Sequence, residues 1–435
     1  MSDSSKKSRF IGILIIVTII IVFGIFFIPD IFNGSHNNDS VPVDSTITNK
    51  RDTAKRIDTN FLKAIVSDED TNERIIRVSE KSDLGVEYQI DDKAGKSVRR
   101  VFTGRRINIA VIGVDARLGT RSKRADANHV ISILIDQGIV EITSLPRDTP
   151  VDIGMPDTSG QNKLTILYAK GQKGYFEEVA RMAGLDRIHY YVELGFSQAM
   201  GIIELLGFKD PHSTLQVLRS RKGLGGDDYQ RCYNQGQFIR QMLLKHFGKL
   251  TGFFGDILLR GGLALINTNI TYDKAKDIIN KLNNKGFPKN DTSVTVKVRP
   301  PIMLNYKVYD FSNQEIITQL EKRIERFNEN NGEIDTTTGE VVHTSYKVAP
   351  RLWNAIKQSI KDTARNSLRV IGNLRTYFDQ RAWLQVSDKN DREKIREQIC
   401  ILLMSAYTKM KKPTQADEVR ALIDAEKKVF SVPLQ

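Results

Sequence analysis

Three short segments bring together residue types suited to phosphate chemistry. Leu218–Gln237 reads LRSRKGLGGDDYQRCYNQGQ and sets Arg219, Arg221, Lys222 and Arg231 around Asp227 and Asp228. GVDARLGTRSKRADAN carries Asp115, Arg117, Arg121, Arg124 and Asp126, and SLPRDTPVD carries Arg147 and Asp148. Guanidinium groups grip phosphoryl oxygens bidentately and keep their charge. Carboxylates beside a phosphate call for a bridging divalent cation, and hard oxygen ligands suit magnesium, with manganese as the alternate. An arginine clamp, an acid pair and a metal together describe a phosphoryl or phosphodiester transfer site. The same side chains also fit a plain ion-pair network at strand ends, which perturbs its members in similar ways. Whether the three segments meet in one cleft decides between the two.

Other chemistries find no support. There is no Walker A sequence and no G-x-S-x-G elbow, and GVDARLG has an aspartate where a dinucleotide fingerprint needs glycine. The six histidines lack the spacing of a zinc site. Cys232 and Cys400, both apolar-flanked, read as core residues and no disulfide is expected.

The elements that must position these residues begin at Ile107. INIAVIGV is a nearly unbroken apolar run, as expected of a buried strand ending in a loop. HVISILID and IVEITSL are two further strands turning at Gln137 and Gly138, IHYYVEL is another, and SVTVKV closes the set. GYFEEVARMAGL, FSQAMGIIELLG, NQGQFIRQMLLKHFG and ITYDKAKDIINKL read as helices between them. Strands alternating with helices predict a layered α/β domain with helices on both faces. In such sheets ligands sit at the strand ends, where all three charged segments fall. Upstream, GVEYQI and SVRRVF predict a hairpin around DDKAGK. Downstream, SNQEIITQLEKRIERF predicts a helix with Ser312 and Glu315 as a capping box, followed by a basic helical extension.

Phe10–Ile28 is free of charge and proline. At about 1.5 Å per residue it reaches roughly 28 Å, enough for a bilayer core. Lys6, Lys7 and Arg9 before it predict a cytoplasmic N-terminus and an extracytoplasmic remainder. No small-x-small motif follows, so an uncleaved anchor in the cell membrane is expected rather than a signal peptide. The organisation read from the chain is a cytoplasmic 1–9, a membrane helix 10–28, a stalk and accessory segment 29–104, a catalytic domain 105–327 and a basic extension 328–435. A net charge of +13 favours an acidic partner, and an outward location sets nucleic acid aside.

The order of the motifs resembles the LytR-CpsA-Psr family of bacterial envelope proteins. GVDAR, RADA, SLPRDT, RSRK, DDYQR and NQGQ stand where that family has related short motifs, over about Ile107 to Lys281. The resemblance implies a three-layer α/β/α sandwich around a central mixed sheet, with an apolar pocket for a polyprenyl chain. It implies a phosphotransferase moving a glycopolymer from a polyprenyl-pyrophosphate carrier to a peptidoglycan hydroxyl. By position, Asp115 and Asp126 match the magnesium ligands. Arg117, Arg147, Arg219, Arg221 and Arg231 match the pyrophosphate clamp, with Arg124 and Gln235 as further contacts. Asp228 is the expected acceptor of the sugar hydroxyl's proton, ahead of Asp227. Three departures stand out: Asn234 replaces an arginine, Ala125 and Ala127 replace hydroxyl residues, and the segment before Arg219 is short. A pyrophosphate hydrolase, or a non-catalytic module binding lipid or anionic polymer, remain the rival functions. For the extension, docking on the domain, binding anionic envelope polymer and recruiting a partner are alternatives to the default expectation, a solvated helical appendage.

Overall fold

A computed structural model describes residues 105–432 except 116–117, 122, 253, 303, 332–340 and 364–365, and also residues 12–13, 86–91 and 96–101. The expected membrane span therefore lies outside the described residues but for 12–13, as do the cytoplasmic 1–9 and most of the stalk. Among the described residues no helix is long and apolar enough to cross a membrane. The hairpin is present: β1 (Val86–Asp91) pairs antiparallel with β2 (Lys96–Val101).

Six strands form the central mixed sheet: β3 (Arg106–Asp115), β4 (Arg124–Leu134), β5 (Ile139–Leu145), β6 (Tyr190–Leu194), β7 (Asn267–Thr268) and β8 (Val294–Val298), in the order β8-β5-β4-β3-β6-β7. β3–β6 and β5–β8 are parallel pairs, while β4 runs antiparallel between β3 and β5. The carboxyl ends of β3, β5, β6 and β8 and the start of β4 thus share one edge. Gly138, at φ 64°, makes the tight turn between β4 and β5.

Apolar runs form these strands because both faces are covered. On one face Ile112, Val114, Val130 and Leu145 meet Leu164, Tyr168, Tyr175 and Val179 of α1 (Leu164–Lys170) and α2 (Gln172–Ala183). On the other, Ile109, Val111, Ile131 and Ile142 join a larger core with α3 (Phe196–Leu205), α4 (Pro211–Arg219) and α5 (Asp228–His246). α6 (Gly255–Leu265) and α7 (Tyr272–Asn284) complete that layer.

The C-terminal region corrects the expectation of a solvated appendage. α8 (Gln314–Asn331), α9 (Val341–Asp362), α10 (Ser367–Asp379), α11 (Lys389–Lys409) and α12 (Pro413–Phe430) bury Leu352, Leu374, Phe378, Trp383, Ile399 and Val419 in that same larger core. Gly261 of α6 lies against Val429 of α12, so a side chain at 261 would hold the helices apart. The buried Arg381 guanidinium donates to the Ala264 carbonyl at 2.7 and 3.0 Å, and Arg392 meets Glu204 at 2.6 Å. The 327/328 boundary falls inside α8. Asn313, not Ser312, caps that helix by accepting from the Glu315 N–H at 2.8 Å.

Candidate active site

β4 begins at Arg124, five residues before the apolar run that announced it, so Asp126 is a strand residue. Ala127 pairs with Gly113 and Ala125 with Val114, which leaves Asp126 unopposed where the register shifts. Such a bulge re-aims a side chain out of the regular alternation. Asp126 is 1% exposed and its carboxylate accepts from Arg147 Nη1 and, at 2.6 Å, from Thr165 Oγ1 in the first turn of α1.

Arg147 follows β5 in a turn closed by Thr149 N–H donating to the Pro146 carbonyl at 3.1 Å. Its carbonyl accepts from Thr165 N–H (3.0 Å), and its own N–H donates to Asp228 Oδ2 (2.9 Å). Asp227 is the N-cap of α5, accepting from the N–H groups of Tyr229 and Gln230. That local duty separates it from Asp228, which faces the arginines. Arg221 Nη2 lies 3.1 Å from Asp228 Oδ1, and Arg231, one turn along α5, pairs with the same oxygen. Arg231 also donates to the Asp126 carbonyl at 3.5 Å. Asp148 collects Lys163 at 3.2 Å, Arg221 at 3.4 Å and Arg147 at 3.7 Å.

The three segments therefore converge. Arg147, Lys163, Arg221 and Arg231 stand against Asp126, Asp148 and Asp228, four cations to three carboxylates. Burial and the charges of Arg231 and Arg221 push Arg147 down to about 10, against the pull of Asp228 and Asp148. Burial and Arg231 likewise lower Arg221. Burial raises Asp148, but Arg147, Lys163 and Arg221 outweigh it and hold the carboxyl below the ordinary range. A cluster in which cations crowd one another beyond their internal anions is one that an external anion relieves.

Arg219 is buried with its guanidinium 5.7 Å from the Phe196 ring centroid. Gln235 bonds to His129 Nε2 at 2.9 Å and to the Leu218 carbonyl at 3.5 Å rather than reaching the cluster. His129 in turn meets Ser144 Oγ at 2.7 Å, and burial pushes it down to about 3, so it is neutral. Asp115 ends β3 in register with Arg124, which is exposed. Arg117 lies outside the described residues.

Lys163, Thr165 and Asp148 join the cluster, although the first two, in KLTILYAKG, are not among the expected site residues. A separate buried carboxylate stands at the same sheet edge: Glu193, at the end of β6, accepts from Lys123 (2.5 Å), Tyr168 and Asn267 (3.2 Å). Its placement at a strand's carboxyl end was the available signal. Glu193 and Lys123 line an open cavity of about 890 Å³ with Val114, Leu118 and Phe196. The cavity opens at the same sheet edge, by Val114 and Glu193, and its lining includes none of the cluster's arginines or aspartates; it is mixed rather than apolar, since Arg121, Arg375 and Asp379 also line it.

Among the described residues no three His, Cys, Asp or Glu side chains gather as a metal cage. Magnesium seldom has one: it is held by one or two carboxylates, waters and the substrate's phosphates. Asp126, on adjacent strand to Asp115, has each oxygen in a single hydrogen bond, so lone pairs remain for a cation. The donor chemistry fits.

Fold and site together define a class: a mixed α/β domain presenting an arginine–carboxylate cluster at the carboxyl edge of its sheet. Residues 71–207 match the model of the LytR_cpsA_psr family, so the family resemblance is shown on that stretch, which includes Asp115, Asp126 and Arg147. It begins earlier than the motifs suggested and ends before Arg219. No curated protein matches the chain. Among solved structures it is similar to TagV of Bacillus subtilis, at 18% identity and TM-score 0.37 over 51% of this chain and 98% of that one. TagT bound to LIIa-WTA matches at 16% and 0.31 (52% and 91%), and the Lin1025 protein of Listeria innocua at 16% and 0.34 (50% and 99%).

Proposed function

We propose that the chain is a membrane-anchored phosphotransferase that moves a glycopolymer from a polyprenyl-pyrophosphate carrier to a hydroxyl of peptidoglycan. The family match over residues 71–207 supports a cell-wall glycopolymer transferase role, and TagT, bound to LIIa-WTA, is a structural neighbour. The carrying observation is the gathering of Arg147, Arg221 and Arg231 around Asp126 and Asp228 at one sheet edge. Arg147 and Arg221 take the pyrophosphate oxygens, exchanging internal carboxylates for the substrate's charge. Arg231, 1% exposed, holds Asp228 in place from the first turns of α5. Asp228 then accepts the proton of the incoming sugar hydroxyl as its oxygen attacks the phosphorus bonded to the glycan. The bond to the bridging oxygen breaks, and polyprenyl phosphate leaves. Asp115 and Asp126 would hold a magnesium ion, whose charge would help neutralise the pyrophosphate. The donor's isoprenoid chain takes the cavity bounded by Val114, Leu118 and Phe196.

Product analysis with a glycan-labelled, lipid-linked donor tests this. With peptidoglycan present, label is expected in the polymer and polyprenyl phosphate in the organic phase. Label released only as free phosphorylated glycan would instead indicate hydrolysis, and binding without turnover a non-catalytic module.

A further inference from the structure

The C-terminal helices do more than complete the core: they reach the connection between β3 and β4. Gly119 N–H donates to Gln380 Oε1 at 2.8 Å, and Gln380 Nε2 donates to the Thr120 carbonyl at 3.0 Å. One side chain thus clamps backbone groups of two successive residues in the segment between Asp115 and the bulged strand carrying Asp126. Tyr377, one turn earlier on α10, lies where a Cβ on Gly119 would stand, at 2.8 Å, and Gly119 has φ +78°. Arg351 Nε pins the Tyr377 hydroxyl at 3.1 Å. The same edge of the extension holds the first turn of α3: Gln385 Nε2 donates to Ser197 Oγ at 2.7 Å and Gln198 Nε2 to the Asp379 carbonyl at 3.4 Å. Leu118, Thr120 and Phe196 line the cavity together with Thr376, Gln380 and Leu422 of the C-terminal helices.

We propose that Gln380 is a positioning residue: by clamping Gly119 and Thr120 it fixes the wall of the cavity that opens at the same sheet edge as the arginine cluster, so that the C-terminal helices set affinity for the lipid end of a pyrophosphate-bearing substrate. The proposal rests on the cluster being a pyrophosphate site. A side chain whose amide is committed to the backbone of the wall acts on binding of the part lying in the cavity, and leaves the grip of the cluster on bare phosphate untouched.

The test compares two probes on the full-length protein by calorimetry, geranylgeranyl pyrophosphate and inorganic pyrophosphate. Gln380→Ala is expected to weaken the isoprenoid probe about tenfold, as loss of an ordered pair of hydrogen bonds would. Inorganic pyrophosphate should change by less than about twofold on the same scale. Gln380→Glu, which keeps the acceptor for Gly119 and loses the donor to Thr120, should fall between. Gly119→Ala, which drives the segment off Tyr377, should act in the same direction. Unchanged isoprenoid affinity in Gln380→Ala, with or without a lower melting temperature, overturns the positioning role. Wild-type protein that binds neither probe overturns the pyrophosphate reading itself, and with it this proposal.

Discussion

Replacing Asp228 with asparagine isolates the charge balance of the cluster. The amide still accepts the Arg147 N–H that now reaches Asp228 Oδ2 at 2.9 Å. What is lost is one negative charge between Arg221, 3.1 Å away, and Arg231. At an effective dielectric of about 20, a unit pair at that separation attracts by roughly 5 kcal/mol before desolvation is subtracted. Breaking a buried pair from one side costs about 3–5 kcal/mol, and the retained hydrogen bond places this variant near the lower end. The ligand-free protein should therefore lose about 2–4 kcal/mol in urea titrations. Pyrophosphate, no longer competing with the internal carboxylate, should bind about ten- to a hundredfold tighter by calorimetry. Turnover should fall by about 10²–10⁴, as for loss of a general base. Tighter binding with lost turnover is the combination that matters. Weaker pyrophosphate binding in Asp228→Asn would refute the view that the carboxylate stands in for the substrate's charge, and undiminished turnover would refute its role as base.

Arg147→Lys keeps the charge but not the fork that spans Asp126 and Asp148. Turnover should drop about 10²–10³-fold, as for loss of one preorganised charge stabiliser, with circular dichroism unchanged. His129, held neutral by burial at about 3 against an ordinary 6.5, takes up its proton only on unfolding across that window. The folded state should accordingly lose up to roughly 4–5 kcal/mol as pH falls from 6.5 to 3. His129→Gln should flatten the slope of urea midpoint against pH, leaving the share due to His246, which burial also depresses to about 3. Trp383, fully buried in the extension and bonded to Glu426 at 2.7 Å, belongs to the common core. Trp383→Ala should destabilise by about 3–5 kcal/mol in a single unfolding transition. An unchanged transition for the sheet domain would mean that the extension folds apart.

The strands were legible because continuous apolar runs such as INIAVIGV leave little alternative. The bulge at Asp126 was not, since it depends on a register shift between two strands rather than on either sequence. RADAN read as loop for the same reason: polar residues in a strand buried on both faces carry no periodic signal. α4 had its signal in Asp210 followed by Pro211, a cap and a first-turn proline, yet the apolar content of PHSTLQVL is too short to stand out. α6 was hidden by its paired glycines, of which Gly261 makes a tertiary contact with α12. At the site, residue types pointed to Arg147, Arg221, Arg231 and Asp228, which do assemble. Gln235 shares a motif but turns to His129, and Arg219 packs its guanidinium over Phe196, because the direction of a helical side chain depends on what packs against it. Lys163 and Thr165 join only because α1 returns beneath the Arg147 turn.

The central claim is tested most directly by a crystal structure of the protein with geranylgeranyl pyrophosphate and magnesium. The account predicts the pyrophosphate oxygens within hydrogen-bond reach of Arg147 and Arg221, and the isoprenoid between Phe196 and the C-terminal helices. A diphosphate bound away from those guanidiniums, with Arg147 still paired to Asp126 and Arg221 to Asp228, would contradict it.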